Sequence, residues 1–133
     1  MNRNSSSLIV ASLLTLLFTT FHGAHDMILG YAPPGLFNLP VIVVLFLWLY
    51  ATLAIGERRL PYVIVMTLSL LASGLPIIHM TGSKGLVGRS APGSAGAFFF
   101  AWTLVAVGIT AMLSVVLSAR GLWTLRRRTS RPA

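Results

Sequence analysis

The sequence has 133 residues, of which 56% are hydrophobic and only 9% charged, and its mean hydropathy is +0.85. A water-soluble domain covers itself with about 25% charged residues; a chain this poor in charge has no such cover, which excludes an ordinary soluble fold and turns its surface toward lipid. The net charge of +8 does not point to nucleic acid, because Arg3, Arg58, Arg59, Lys84, Arg89, Arg120, Arg126, Arg127, Arg128 and Arg131 all lie at the ends of apolar runs or in the loops between them.

A helix needs about 20 apolar residues to cross a hydrocarbon layer of about 30 Å. Four stretches meet or approach that length, at 8–29, 37–55, 61–80 and 97–119, followed by a basic tail at 120–133. The expected fold is therefore all-α, one polytopic membrane domain over 1–133 built as a four-transmembrane-helix bundle. Arg3 and the run from Leu8 to Phe18 resemble the start of a secretory signal, but no small-x-small cleavage site follows, since His22 precedes Ala24 by two positions. The first stretch is read as a retained helix.

With the N-terminus in the cytoplasm, the inner side holds Arg3, the "GERRLP" turn and the C-terminal tail, eight basic residues in all, and the outer side only Lys84 and Arg89. The positive-inside rule then gives N-in and C-in, with "GYAPPG" and "TGSKGLVGRSAPGSAG" outside. The expected location is the inner (plasma) membrane of a bacterium. The glycine-rich outer loop reads as a flexible connector; its "GSKG" lacks the spacing and the preceding strand of a phosphate-binding loop.

The first stretch contains "TTFHGAHDMILG", which sets two histidines and an aspartate inside an apolar segment. Its polar positions are Ser5, Ser12, Thr15, Thr19, His22 and Asp26, and from Ser12 onward they are spaced three, four, three and four apart. That spacing aligns them along one helical face. His25 is offset by about 60° at 100° per residue, near enough to join a site lined by His22 and Asp26. Because lipid cannot hydrogen-bond such groups, and a charge at bilayer centre costs roughly 2.5–3.5 kcal/mol, the stripe is expected to face the other helices.

The third stretch supplies a partner. In "SGLPIIHMTG", Pro76 removes a helix donor and Gly74 precedes it, so a kink is expected, and His79 arrives at the same outer level as His25 and Asp26. The expected cluster is His22, His25, Asp26 and His79, with Met27 and Met80 nearby. Three imidazoles and a carboxylate suit Zn or Cu, thioethers would favour Cu(I), and two histidines on different helices could ligate haem axially. "HxxHD" is not a protease signature and is weak alone. The same residues also fit three other roles: internal hydrogen bonding between His22 and Asp26 with His79 at headgroup level, proton or ion handling, and binding of an organic ligand or lipid headgroup.

The fourth stretch has a seam of small or hydroxylated residues, Thr103, Thr110, Ser114, Ser118 and Gly121, with Val107 among them, spaced three or four apart. This reads as helix packing against the first helix or a neighbouring subunit. Phe98 to Phe100 with Trp102 read as an outer aromatic belt, and Trp123 with the arginines of the tail as an anchor to an anionic leaflet. Glu57 is expected to pair with Arg58 or Arg59.

No nucleophile–base pair, dinucleotide fingerprint or paired carboxylates are present, so an enzyme built on this chain alone would need a metal or cofactor. The mid-membrane acid of small four-span multidrug exporters is replaced by Thr15 and Thr19. The thiols of four-span quinone-linked oxidoreductases are missing altogether, because the chain has no cysteine. The expectation is a small membrane accessory or binding protein, as a homo-oligomer or as a subunit of a larger complex. It carries an outward-facing His/Asp site for a transition metal or haem. The competing expectation is a small oligomeric proton-coupled transporter or channel using His22 and Asp26.

Overall fold

The computed structural model describes residues 3–28, 35–81 and 95–129, all of them in helices or short connections. Five α-helices follow in order: α1 at Arg3–Ile28, α2 at Leu39–Leu53, α3 at Arg59–Ser73, α4 at Leu75–Thr81 and α5 at Ala95–Thr129. Among the described residues, three helical segments are long and apolar enough to cross a membrane: Asn4–Ile28, Arg59–His79 and Phe98–Arg127. The glycine-rich connector with Lys84 and Arg89, and most of "GYAPPG", lie outside the described residues.

Two elements differ from the sequence expectation. The stretch expected at 37–55 forms a helix of only 15 residues, about 22 Å long at 1.5 Å per residue. At its N-terminal side Gly35 adopts a φ of 92°, a left-handed conformation natural to glycine, and a 3₁₀ turn at Leu36–Asn38 intervenes before Pro40 sets the first α-helical turn. At the other end the ladder closes at Ala54, whose N–H donates to the Tyr50 carbonyl. The fourth stretch, expected to end at 119 and give way to a tail, instead stays helical to Thr129. "ARGLWTLRRR" contains no proline and only one glycine, and Gly121 is held by packing.

The expected kink in the third stretch is a break. Helix α3 ends at Ser73 and α4 starts at Leu75, with Gly74 as the junction. Pro76 packs against α5 at Gly108, where an added Cβ would come within 3.0 Å of the proline Cγ.

Cross-helix contacts give the topology. Ser5 meets the Tyr62 hydroxyl at one end of the bundle and Asp26 meets His79 at the other, so α1 runs parallel to α3 and α4. Asn4 donates to the Leu117 carbonyl and His22 meets Thr103, so α5 is antiparallel to α1. Ser12 meets Thr52 and Met27 meets Asn38, so α2 is antiparallel to α1 as well.

The polar stripe of α1 faces inward. Ser12 and Thr15 are fully buried and His22 is 2% exposed. Each finds a hydroxyl, an indole or an imidazole on another helix. Trp48 Nε1 donates to Ser12 Oγ at 2.9 Å, Ser12 and Thr52 hydroxyls lie 2.7 Å apart, and Thr15 and Ser114 hydroxyls lie 3.4 Å apart. Ser12 thus holds α1 to α2. Ser12→Ala strands the Trp48 N–H and is expected to cost about 1–2 kcal/mol; reversible unfolding in mixed micelles measures it against the unsubstituted protein.

The outward surface is the reverse. Phe46, Leu53, Leu71, Ile77, Ile78, Ile109 and Trp123 are all more than half exposed, as suits a lipid-facing surface. Trp102 and Trp123 are both exposed on α5 and twenty-one residues apart, about 31 Å along the helix. That separation is close to the thickness of a hydrocarbon layer. Thr103 and its partner His22 sit level with Trp102, with Asp26 a turn further toward that end.

Candidate metal centre

Three elements supply the site. Helical spacing on α1 places His22 and Asp26 one turn apart, the break at Gly74 lets α4 bring His79 over them, and α5 closes the site with Phe100 and Thr103. His22 Nε2 stands 3.8 Å from Asp26 Oδ2, and His79 Nε2 stands 3.6 Å from the same oxygen. One ligand atom from each of the three residues can be chosen so that all lie within 4.8 Å of one another. The two imidazoles meet edge to face, with centroids 5.0 Å apart and planes at 78°.

The hydrogen bonds behind the rings orient them. His79 Nδ1 is 2.9 Å from the Leu75 carbonyl, which can only accept, so Nδ1 carries a hydrogen and Nε2 is the atom turned to Asp26. His22 Nδ1 is 3.3 Å from Thr103 Oγ1. The Thr103 hydroxyl hydrogen is directed to the carbonyls of Phe99 and Phe100, each 3.0 Å away. Its oxygen is thereby free to accept from His22 Nδ1–H, which leaves His22 Nε2 turned to Asp26. Two imidazole Nε2 atoms thus converge on one carboxylate oxygen. His22 Nε2 and Asp26 Oδ1 are buried and have no hydrogen-bond partner among the described residues.

Two imidazole nitrogens turned to one carboxylate oxygen call for a cation among them, a proton on a ring or a bound metal ion. Separations of 3.6 and 3.8 Å are long for hydrogen bonds. They approach the roughly 3.3–3.5 Å between two ligand atoms bonded at about 2.0–2.2 Å to one tetrahedral ion. The nitrogen–oxygen donor set and the second hydrogen bond made by each ring are what Zn2+ or Cu2+ sites use. Thr103→Val removes the acceptor that orients His22 and is expected to weaken metal affinity about 10–100-fold, measured by competition against a chelator; an unchanged affinity would show that His22 needs no such support.

Phe100 is the wall of the site. It is 2% exposed and packs with Leu104 and Leu75. The centroids of His22, His79 and His25 lie 4.7, 5.8 and 5.9 Å from its own. An apolar wall of this kind strengthens every charge interaction beside it.

The remaining expected site residues lie elsewhere. His25 is not brought into the three-residue group; its ring packs edge-on to Phe99 at 5.4 Å, and its buried Nδ1 has no partner among the described residues. Met27 is exposed, and its sulfur accepts from Asn38 Nδ2 at 3.5 Å; the Met80 side chain lies outside the described residues. With Met27 turned away, the thioether argument for Cu(I) loses that ligand. Haem does not fit this geometry, because edge-to-face rings 5.0 Å apart, with Asp26 beside both, leave no slot for a planar macrocycle. Thr103, Ser114 and Ser118 are buried, and Thr110 is half-buried with its hydroxyl on the Ala106 carbonyl.

Two contributors escaped the sequence reading. Thr103 was expected only to pack, and Phe100 only to belong to an aromatic belt. The signal for both was the α5 seam itself. One more step of three back from Thr103 reaches Phe100, and the antiparallel register puts that end of the seam level with His22.

No family model, curated protein or solved structure matches the chain.

Proposed function

We propose that the chain is a four-span bacterial inner-membrane protein, N-in and C-in, that binds a transition metal ion at its outer end through His22, Asp26 and His79. The observation that carries this reading is the convergence of two imidazole Nε2 atoms on one carboxylate oxygen, with a ligand atom of each residue within 4.8 Å of the others. Three protein ligands leave a further coordination position for water or an incoming group, as in open zinc sites. Asp26 and His79 are 17% and 16% exposed at their side chains, so an ion has a route from the aqueous side. The chain would act as an accessory or binding protein, as a homo-oligomer or within a larger complex. In the four-span reading α2 crosses a thinner part of the bilayer, with the 3₁₀ turn extending its reach.

The test is elemental analysis of protein purified without chelator, followed by titration with Zn2+ and Cu2+. One ion per chain is expected, with affinity falling as acid protonates the two imidazoles. Metal-free protein that takes up neither ion would remove the proposal.

The competing reading, proton-coupled transport, has one observation in its favour. Buried Thr19, Ser69 and Ser118 hydroxyls have no partner among the described residues, and they continue the polar core from His22 toward the arginine-bearing end. Proton flux in sealed liposomes that is abolished by Asp26→Asn would favour it; absence of flux would discard it.

A further inference from the structure

We propose that a groove at the opposite end of the bundle, between the start of α1 and the C-terminal part of α5, binds the phosphate headgroup of an anionic phospholipid. The groove has a volume of about 470 Å3 and is lined by Asn4, Ala119, Arg120, Trp123 and Thr124. It exists because α5 continues as a helix past Ala119, keeping Arg120, Trp123 and Thr124 in fixed register beside α1. The Asn4 amide, donating to the Leu117 carbonyl at 3.3 Å, holds the two helices together at its edge.

The chemistry of the lining selects the ligand. Arg120 is exposed, and its planar fork of donors matches phosphate oxygens. The chain has ten basic residues and two acids. Of those acids Asp26 is engaged at the far end, so the positive charge here is not neutralised from within by it. Thr124 turns its hydroxyl hydrogen to the Arg120 carbonyl at 2.9 Å, fixing its own rotamer within the lining. The Arg127 guanidinium lies 5.2 Å from the Trp123 ring centroid, which holds the indole in place and adds a second cation near the groove.

Depth distinguishes a lipid from a free anion. Trp123 marks the interface, and about one and two turns deeper than Arg120 on the same face Val116 and Leu113 are exposed. A headgroup on Arg120 would thus lay its acyl chains along a continuous apolar track. This inference does not rest on the metal site.

The test is native mass spectrometry of the full-length protein in detergent, titrated with phosphatidylglycerol, phosphatidylcholine or inorganic phosphate. Phosphatidylglycerol is expected to be retained at least about five-fold better than phosphatidylcholine. Arg120→Gln should lower that retention about five-fold. Trp123→Ala, which leaves every charge in place, should lower it by a similar factor. Arg58→Gln, a charge removed at the same end but on another element, should not. Equal retention of the two lipids, indifference to both groove variants, or an equal loss in Arg58→Gln would overturn the proposal. Displacement of the lipid by inorganic phosphate would overturn the lipid identity.

Discussion

His79→Ala is expected to reduce Zn2+ affinity by at least about 100-fold, since it removes a directly bonding group where even the loss of a supporting one costs about 10–100-fold. Of the three residues in the proposed site His79 alone comes from outside α1, so without it the remaining pair, His22 and Asp26, is held by one helical turn. Asp26→Asn should behave alike, because the neutral amide lacks the anionic oxygen facing both nitrogens. His25→Ala should change affinity less than about three-fold, since its ring packs on Phe99 and Phe100 outside the three-residue group. Isothermal titration of the three variants separates these outcomes. An equal loss in His25→Ala would move the centre toward that residue. The His79 side chain is 16% exposed on a seven-residue helix, so its removal should leave the bundle folded, which thermal unfolding of the metal-free protein checks.

Gly121→Ala should destabilise the bundle by about 1–3 kcal/mol, the usual cost of overpacking. An added Cβ there would fall against the ring of Tyr62. That ring cannot simply swing aside: Tyr62 is 3% exposed and its hydroxyl lies 3.2 Å from Ser5 Oγ on α1. Gly121 is therefore where α5 approaches α3 closely enough to pin three helices together at the end of the bundle that holds Ser5 and Tyr62. Gly23→Ala is the matched control. Nothing lies within 4 Å of the site of its Cβ, and the change should be neutral or stabilising by up to about 1 kcal/mol through helix propensity. The pair can be compared by reversible unfolding in mixed micelles. If Gly121→Ala is as mild as Gly23→Ala, the close contact between α3 and α5 is not a determinant of stability. Combining Gly121→Ala with Tyr62→Leu should recover part of the loss, because the obstructing ring is gone.

Much of this arrangement was written in helical periodicity. The spacing of Ser12, Thr15, Thr19, His22 and Asp26 fixes a single face, and a hydroxyl or imidazole in lipid has no alternative to facing its neighbours. His79 could be matched in depth to Asp26 because both helices start near the same interface. What periodicity does not carry is the rotation of one helix against another. His25 stands only about 60° from the stripe, yet Phe99 and Phe100 fill the space that an imidazole there would need in order to turn inward. Which of three consecutive phenylalanines would be buried depends on how α5 seats on α1. The ends of α2 and α5 escaped for a different reason. Hydropathy marks where a chain is apolar, whereas Gly35, the 3₁₀ turn and the basic continuation to Thr129 set where the backbone ladder starts and stops.

The central claim is that residues from α1 and α4 grip a single ion. X-ray absorption spectroscopy of the Zn2+-loaded protein tests it most directly. The account predicts about two imidazole nitrogens and at least one oxygen at about 2.0–2.1 Å, with one imidazole lost in His79→Ala. A spectrum with oxygen neighbours alone, or one that His79→Ala leaves unchanged, would contradict it.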